Sequence, residues 1–298
     1  MSEAADPRYR DLDLWDDRTA LAAMWEGQLA AVAAIGPALP DIAAGVAAIA
    51  DRLARGGRLF YAGAGTSIRI AVQDGTELGP TFDWPEARTG YLIAGGEGAL
   101  REAVEGAEDD ATDAAAQVVG AAIGPPDAVI GIAASGRTPF TVAAVRAARA
   151  AGALTVGIAG TAKAPLLEVA EHAICLGTGP EVLAGSTRMK AGTAQKVALN
   201  LISTQVMMRL GRVHGGLMVD MRPANAKLRT RANAMVQQLS GVDAAQAEAA
   251  LQTVGRRVKP AVLVALGLSP ADARRALAES DDVLRRALSQ VPRREPDN

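Results

Sequence analysis

The sequence predicts an α/β fold, a five-stranded parallel sheet flanked by helices and followed by a small C-terminal helical domain. Three observations predict it. Five short runs of β character, at 58–62, 89–94, 127–133, 153–159 and 172–176, are each bounded by Gly, Pro or charged residues. Most are separated by alanine-rich stretches long enough for a helix, and strands alternating with helices form a parallel sheet covered on both faces. After Val219 the composition changes to short, punctuated helical segments.

Ahead of the sheet, apolar spacing over 19–53 suits two helices broken at Gly36-Pro37, with Asp41 as N-cap of the second. Beyond the fifth strand, 185–210 reads as one long helix rich in Met, Leu, Val and Ala, capped by Ser186 or Thr187. Residues 225–239 are polar-periodic, and 244–288 hold three or four short helices punctuated by Gly255, Pro260, Gly267-Leu-Ser-Pro270 and Ser280. Residues 292–298 are expected to be a frayed tail. The expected division is therefore 1–55 as a helical packing segment, 56–222 as the α/β domain, and 223–298 as a helical region. The length of 298 residues fits about two domains of ~150 residues each.

Thirty-one basic residues against thirty-three acidic ones give a formal charge of −2 without a basic block, which argues against a nucleic-acid partner. No charge-free apolar run approaches the ~18 residues that span a bilayer. The first thirty residues carry Glu3, Asp6, Asp11, Asp13, Asp16 and Asp17 where a signal peptide needs a basic start. A lone cysteine, Cys175, has no internal disulfide partner, and two histidines leave little for a transition-metal site. A cytoplasmic protein without metal or cofactor, and without membrane contact, is expected.

Two loops carry the functional signal. Gly63-Ala-Gly-Thr-Ser67 follows the first strand and Ala134-Ser-Gly-Arg-Thr138 the third, each ahead of a helical stretch. Such loops sit at the carboxyl edge of a parallel sheet, where ligands bind. Glycine lets backbone approach, hydroxyls donate hydrogen bonds, and helix N-termini supply free N–H groups and partial positive charge. A phosphate monoester suits that chemistry. The first loop is not a dinucleotide fingerprint, since Ile68 stands where the third Gly or Ala would be, and no Gly-Lys-Thr/Ser follows to make a Walker loop. Phosphosugar binding fits better than nucleotide binding.

Between the loops lie Glu77, Glu97, Glu102, Glu105, Glu108, Asp109 and Asp110. Glutamate is ordinarily exposed, and spacing does not choose among them. A carboxylate beside a phosphate dianion is nevertheless pushed toward its protonated form and poised for acid or base work. Ten residues past Ser67 on an unbroken helix, Glu77 would lie ~15 Å away along the axis. Either the helix stops near Gly75, or Glu77 reaches a site in a second subunit. His172 reads as structural, His214 as able to face a site, and Cys175 as an inert hydrophobe. Arg188 and Lys190 fall in the first turn of the long helix, where anion binding and solvent exposure are equally good explanations.

The chain resembles the N-acetylmuramic acid 6-phosphate etherases of the sugar isomerase (SIS) superfamily. The segments that carry the resemblance are Tyr61-Ala-Gly-Ala-Gly-Thr-Ser67, Leu92-Ile-Ala-Gly-Gly96, Ala103-Val-Glu-Gly-Ala-Glu-Asp-Asp110, Gly131-Ile-Ala-Ala-Ser-Gly-Arg-Thr-Pro139, Gly179-Pro-Glu-Val-Leu183, Gly185-Ser-Thr-Arg-Met-Lys-Ala-Gly-Thr-Ala-Gln-Lys196 and Leu217-Met-Val-Asp220. The resemblance implies an SIS-type sheet with a small UBA-like domain at about 241–290. It also implies cleavage of the D-lactyl ether of N-acetylmuramic acid 6-phosphate by elimination then hydration, in cell-wall amino-sugar recycling.

By motif position it makes Glu77 and Glu108 the catalytic carboxylates. Gly65, Thr66, Ser67, Ser135, Gly136, Arg137 and Thr138 would hold phosphate, and Ser186, Thr187 and Lys190 would complete the sugar site. No cofactor is implied, and a homodimer with the site near the subunit interface is expected. The sequence departs from the family pattern at Ile68, which usually is glycine, and in Asp74-Gly-Thr-Glu77-Leu-Gly-Pro80. A β-branched residue beside the loop is expected to narrow it or stiffen its backbone. The alternatives are a sugar-phosphate-sensing regulator similar to the glucokinase regulatory protein, and an aldose–ketose isomerase of the same superfamily.

Overall fold

The computed structural model describes residues 4–290; the tail expected at 292–298 lies outside them. Helices α1 (Asp17–Ala33) and α2 (Leu39–Ala54) precede the α/β succession. That succession runs β1 (Leu59–Gly63), α3 (Gly65–Phe82), β2 (Thr89–Ile93), α4 (Ala111–Gly120), β3 (Ala128–Ala133), α5 (Pro139–Ala150), β4 (Leu154–Ala159), α6 (Pro165–Val169) and β5 (His172–Cys175). Helix α7 (Lys190–Arg209) follows. The chain ends in α8 (Ala226–Ser240), α9 (Ala244–Thr253), α10 (Val258–Ala265), α11 (Pro270–Ala278) and α12 (Leu284–Ser289). Each strand lies within a residue or so of its predicted run.

All five strands are parallel, in the order β2-β1-β3-β4-β5. Every residue of β1, β3 and β4 is buried, as a sheet covered on both faces requires. Phe60, Ala62, Val129 and Leu92 pack with Ala114 and Val118 of α4 and Phe140, Ala144 and Ala148 of α5. Glycines let the cover come close: a Cβ at Gly131 would meet Val145 Cγ2 at 2.3 Å, and one at Gly157 would meet the Leu166 carbonyl at 2.8 Å. On the opposite face, α2 lies over β4 and β5, with Gly45 against Val156 and Ile174.

Helix α2 begins at Leu39, so Asp41 stands in its first turn and not at its N-cap. Taken together, the helical stretch Asp17–Ala54 is long and apolar enough by length and composition to cross a membrane. It is interrupted by the 3-10 turn Gly36–Ala38, and α2 buries Ile42, Val46, Ile49 and Leu53. Helix α1 leaves Leu21, Trp25 and Leu29 exposed along one face.

Helix α3 runs unbroken through Gly75 to Phe82, which corrects the option of a stop near Gly75. Gly75 is there because nothing larger fits: a Cβ would come within 2.5 Å of Tyr91 Oη and 3.0 Å of the Tyr61 ring. One residue earlier, buried Asp74 accepts hydrogen bonds from Tyr61 Oη (2.9 Å), Asn200 Nδ2 (2.6 Å) and Ser203 Oγ (3.0 Å). This carboxylate joins β1, α3 and α7.

Contacts divide the chain into two compact units, Met1–Thr76 with Glu86–Val206, and Glu77–Pro85 with Met207–Asn298. In the second unit Arg212 donates to the Phe82 carbonyl (3.3 Å), and Arg222 pairs with Asp83. Its core gathers Met235, Val236, Leu251, Val262, Leu263 and Leu277. Lys259, almost fully buried, forms an ion pair with Asp220 (2.5 Å) and donates to the carboxylate (3.0 Å) and carbonyl (2.7 Å) of Asp282. A buried ammonium is tolerated only with such partners.

Burial pushes the Asp74 carboxyl above its ordinary 3.8, although its three hydrogen bonds pull the other way. A raised folded-state value means the group adds stability below its unfolded pKa and loses that contribution as pH climbs through the folded one. Asp74→Asn, which does not ionise, should therefore gain stability relative to the wild type between about pH 4 and about pH 7. Urea unfolding at the two pH values reads this, and an unchanged gap would dismiss Asp74 as a source of pH dependence.

Candidate functional site

The strand order brings the ends of β1 and β3 side by side, although β2 separates them in the sequence. Helix α3 leaves β1 toward one face of the sheet, where Asp74 meets Tyr61. Helix α5 leaves β3 toward the other, where Phe140 meets Phe60 and Val129. Diverging connections of this kind open a crevice at the carboxyl edge of a parallel sheet.

A cavity of about 400 Å³ occupies that position, with Gly65, Thr66, Ser67, Ser135, Arg137, Thr138, Thr187 and Glu108 in its wall. Two helix N-termini face it, those of α3 and α5. The first N–H groups of a helix have no partner within it, and Thr138, at the N-cap of α5, makes no side-chain cap of its own. Ser135 Oγ accepts from the Arg137 N–H at 3.2 Å, which holds the second loop in a tight curl. Gly136 lies at that curl with φ +66°, and a Cβ there would strike Ala164 at 2.5 Å; only glycine meets both demands. Donors, partial positive charge and the exposed Arg137 guanidinium together suit a dianionic phosphate.

The acidic segment reaches the cavity by a different route. Arg69 of α3 donates to the Ala99 carbonyl at 2.8 and 3.2 Å, pinning the 3-10 turn Glu97–Leu100. A close approach of Val104 and Ala107 to Gly95 folds the next residues back. Asp110 then caps α4, accepting from Thr112 N (3.0 Å) and Asp113 N (2.8 Å). Glu108 and Asp109, in the turn just before that cap, form part of the cavity wall. The remaining acidic residues of the stretch do not line it.

Other residues fall elsewhere. Glu77 is exposed and absent from the cavity wall; along the continuous α3 it stands ten residues, or ~15 Å, beyond Ser67. Ile68 does not narrow the loop, because its side chain is fully buried and the cavity wall omits it. Helix α7 begins at Lys190 and not near Gly185, so neither Ser186 nor Thr187 caps it, and Gly185–Met189 form a turn at the cavity rim. Lys190 is buried, with Nζ donating to the Pro180 carbonyl at 2.8 Å, and Arg188 is exposed ahead of the helix.

The N-cap role belongs to Glu181, whose two carboxylate oxygens accept from Lys190 N (2.8 Å) and Ala191 N (2.9 Å). Residue spacing does not single it out, because the cap stands nine residues upstream of the helix. A larger concavity of about 840 Å³ among α8, α9 and α10 has Val242, Ala249, Ala250, Val264 and Leu266 in its wall and no titratable side chain. Its polar side chains are Ser240, Gln246 and Thr253, with no acid or base among them for proton transfer. Among the described residues, no three His, Cys, Asp or Glu side chains group as metal ligands do.

Comparison with known proteins follows the same lines. Residues 41–149 match the glucokinase regulatory protein N-terminal SIS domain, and residues 109–205 match the SIS domain. An N-acetylmuramic acid 6-phosphate etherase of Deinococcus radiodurans is 49% identical over 290 residues, covering 97% of this chain and 95% of that protein. Those of Streptomyces avermitilis and Salmonella typhimurium are 47% and 44% identical, covering 92% and 97% of this chain and 88% and 97% of theirs. Among solved structures, E. coli CFT073 c3406 in complex with A5P aligns with a TM-score of 0.52 at 15% identity, over 70% of this chain and 96% of that one. That likeness concerns the fold.

Replacing Ser135 by Ala removes one hydroxyl from the cavity and loosens the curl at Arg137. Inorganic phosphate should bind about tenfold more weakly, the equivalent of one hydrogen bond to a charged group. Calorimetric titration measures this, and an unchanged affinity would take Ser135 out of the phosphate cradle.

Proposed function

The chain belongs to the N-acetylmuramic acid 6-phosphate etherase family, and from that premise we propose that it cleaves the D-lactyl ether of N-acetylmuramic acid 6-phosphate, releasing D-lactate and N-acetylglucosamine 6-phosphate. The observation that carries the reading is the single cavity wall joining two phosphate-type loops to Glu108. The likeness to etherases runs over nearly the whole chain, whereas the match to the glucokinase regulatory protein domain ends at residue 149.

The chemistry asks for two proton-transferring groups. In the open-chain sugar the C2 hydrogen is acidified by the C1 carbonyl, and Glu108 removes it. The C3–O bond breaks as Glu77 protonates the lactate oxygen, leaving an unsaturated aldehyde. Water, deprotonated by Glu77, then adds at C3, and a proton returns to C2. Phosphate is held by Ser67, Ser135, Thr138 and the N–H groups around Gly65, Thr66, Gly136 and Arg137. Thr187 and Ser186 border the sugar. Lys190 has a different role, because its ammonium is spent on Pro180.

Glu77 enters from a second copy of the chain in this scheme. An unbroken α3 carries it away from its own loop, and the uncovered Leu21-Trp25-Leu29 face of α1 supports self-association. The reaction takes place in the cytoplasm, where the recycled amino sugar is reused.

Glu77→Gln and Glu108→Gln should each lower D-lactate release by about 10²- to 10⁴-fold, the usual worth of a general acid or base. Enzymatic lactate assay on the phosphorylated and unphosphorylated sugar measures it; turnover that survives Glu108→Gln would end this assignment. If the carboxylates belong to different copies, mixing the two inactive variants should restore about a quarter of wild-type activity, since half the dimers are mixed and each has one intact site. No recovery on subunit exchange would return both groups to one chain.

A further inference from the structure

The rim of the cavity at Gly185–Thr187 has no regular structure of its own to hold it. It lies between Glu181 and the first turn of α7, and both of its ends are tied at that helix start. Glu181 is completely buried, and both its oxygens are engaged by backbone N–H groups of Lys190 and Ala191. Lys190 turns back to the Pro180 carbonyl, closing the same junction from the other side. Helix α1 seals it: a Cβ on Gly27 would meet Val182 Cγ2 at 2.7 Å and the Lys190 stem at 3.6 Å.

Within the loop, Ser186 N donates to the Leu183 carbonyl (2.9 Å), Met189 N to Ser186 (3.0 Å), and Gly192 N to Thr187 (2.8 Å). The same turn of α7 touches the first phosphate loop, where a Cβ on Gly192 would lie 3.6 Å from Thr66 Cγ2. The position of Thr187 therefore depends on where α7 begins, and Glu181 fixes that beginning.

We propose that Glu181 is a positioning residue for phosphosugar binding, acting through Thr187 and the Gly185–Met189 turn and never touching the substrate. A carboxylate is the group that suits the role. It accepts two N–H bonds at once, and its negative charge faces the positive end of the α7 dipole. An amide accepts one and sets its own NH₂ against the other N–H. The Gly185–Met189 turn then loses its anchor while α3 and α5 keep theirs.

The inference rests on the cavity being the phosphosugar site, and its test separates the two questions. Glu181→Gln, Thr187→Ala, Ser135→Ala and the two double variants with Glu181→Gln are compared by calorimetric binding of inorganic phosphate and of N-acetylmuramic acid 6-phosphate, and by KM and kcat for lactate release. Glu181→Gln should weaken phosphosugar binding and raise KM about tenfold while kcat falls less than about threefold. Its effect should largely vanish in the Thr187→Ala background and persist in full in the Ser135→Ala background.

Equal effects in both backgrounds, or loss of kcat without change in KM, would overturn the assignment. If Glu181→Gln does not fold, Glu181→Asp, which keeps the charge and withdraws it by one methylene, takes its place in the cycle. Loss of the fold in both would make Glu181 a stability residue and end the proposal. A wild-type chain that binds phosphosugar and releases no lactate would remove the etherase reading, while the binding cycle would still decide the role of Glu181.

Discussion

The pairing of β1 with β3 is the constraint on which the rest of the phosphosugar unit depends. Parallel strands in register from Leu59↔Ala128 to Gly63↔Ile132 end at the same height, so both following loops open at one edge. Because the chain returns through β2 on the far side of β1, the helices after β1 and β3 depart to opposite faces. A crevice with two free helix N-termini results from topology alone. Hydroxyls and glycines in the two loops make that crevice suited to an anion.

Carboxylates serve two different purposes in this chain. Asp74 and Glu181 are buried and fully engaged, one holding β1, α3 and α7 together and the other setting the start of α7. Neither lines the cavity, and each works by fixing a helix. Glu108 and Glu77 are exposed and make none of these anchoring bonds. The proposed scheme asks for that division, since groups that move protons have to stay accessible while the framework around them stays still.

The helical unit shows the cost of a buried ammonium being met locally. Lys259 sits among Asp220, Asp282 and the Asp282 carbonyl, and Arg212 approaches Asp220 at 3.4 Å. Breaking such a set by removing one partner leaves an uncompensated charge, which costs several kcal/mol. The motif Leu217-Met-Val-Asp220, conspicuous in the sequence, thus serves the cohesion of this unit through Asp220.

Local features were legible in the sequence. Strand ends fell within a residue of prediction because Gly, Pro and charge bound each buried run, and loop chemistry was legible because hydroxyls and glycines carry it in their own side chains. The acidic segment could be read as a group, but not for which carboxylate lines the cavity, since that depends on Arg69 gripping Ala99 thirty residues away. Gly75 looked like a helix break and is instead a contact with Tyr91 and Tyr61. Ser186 and Thr187 looked like caps, and the cap proved to be Glu181. Propensity and motif report what a residue does with its near neighbours in the chain. Strand order, the start of α7 and the continuity of α3 were decided only in the tertiary structure, because each rests on a partner remote in sequence that no local pattern specifies.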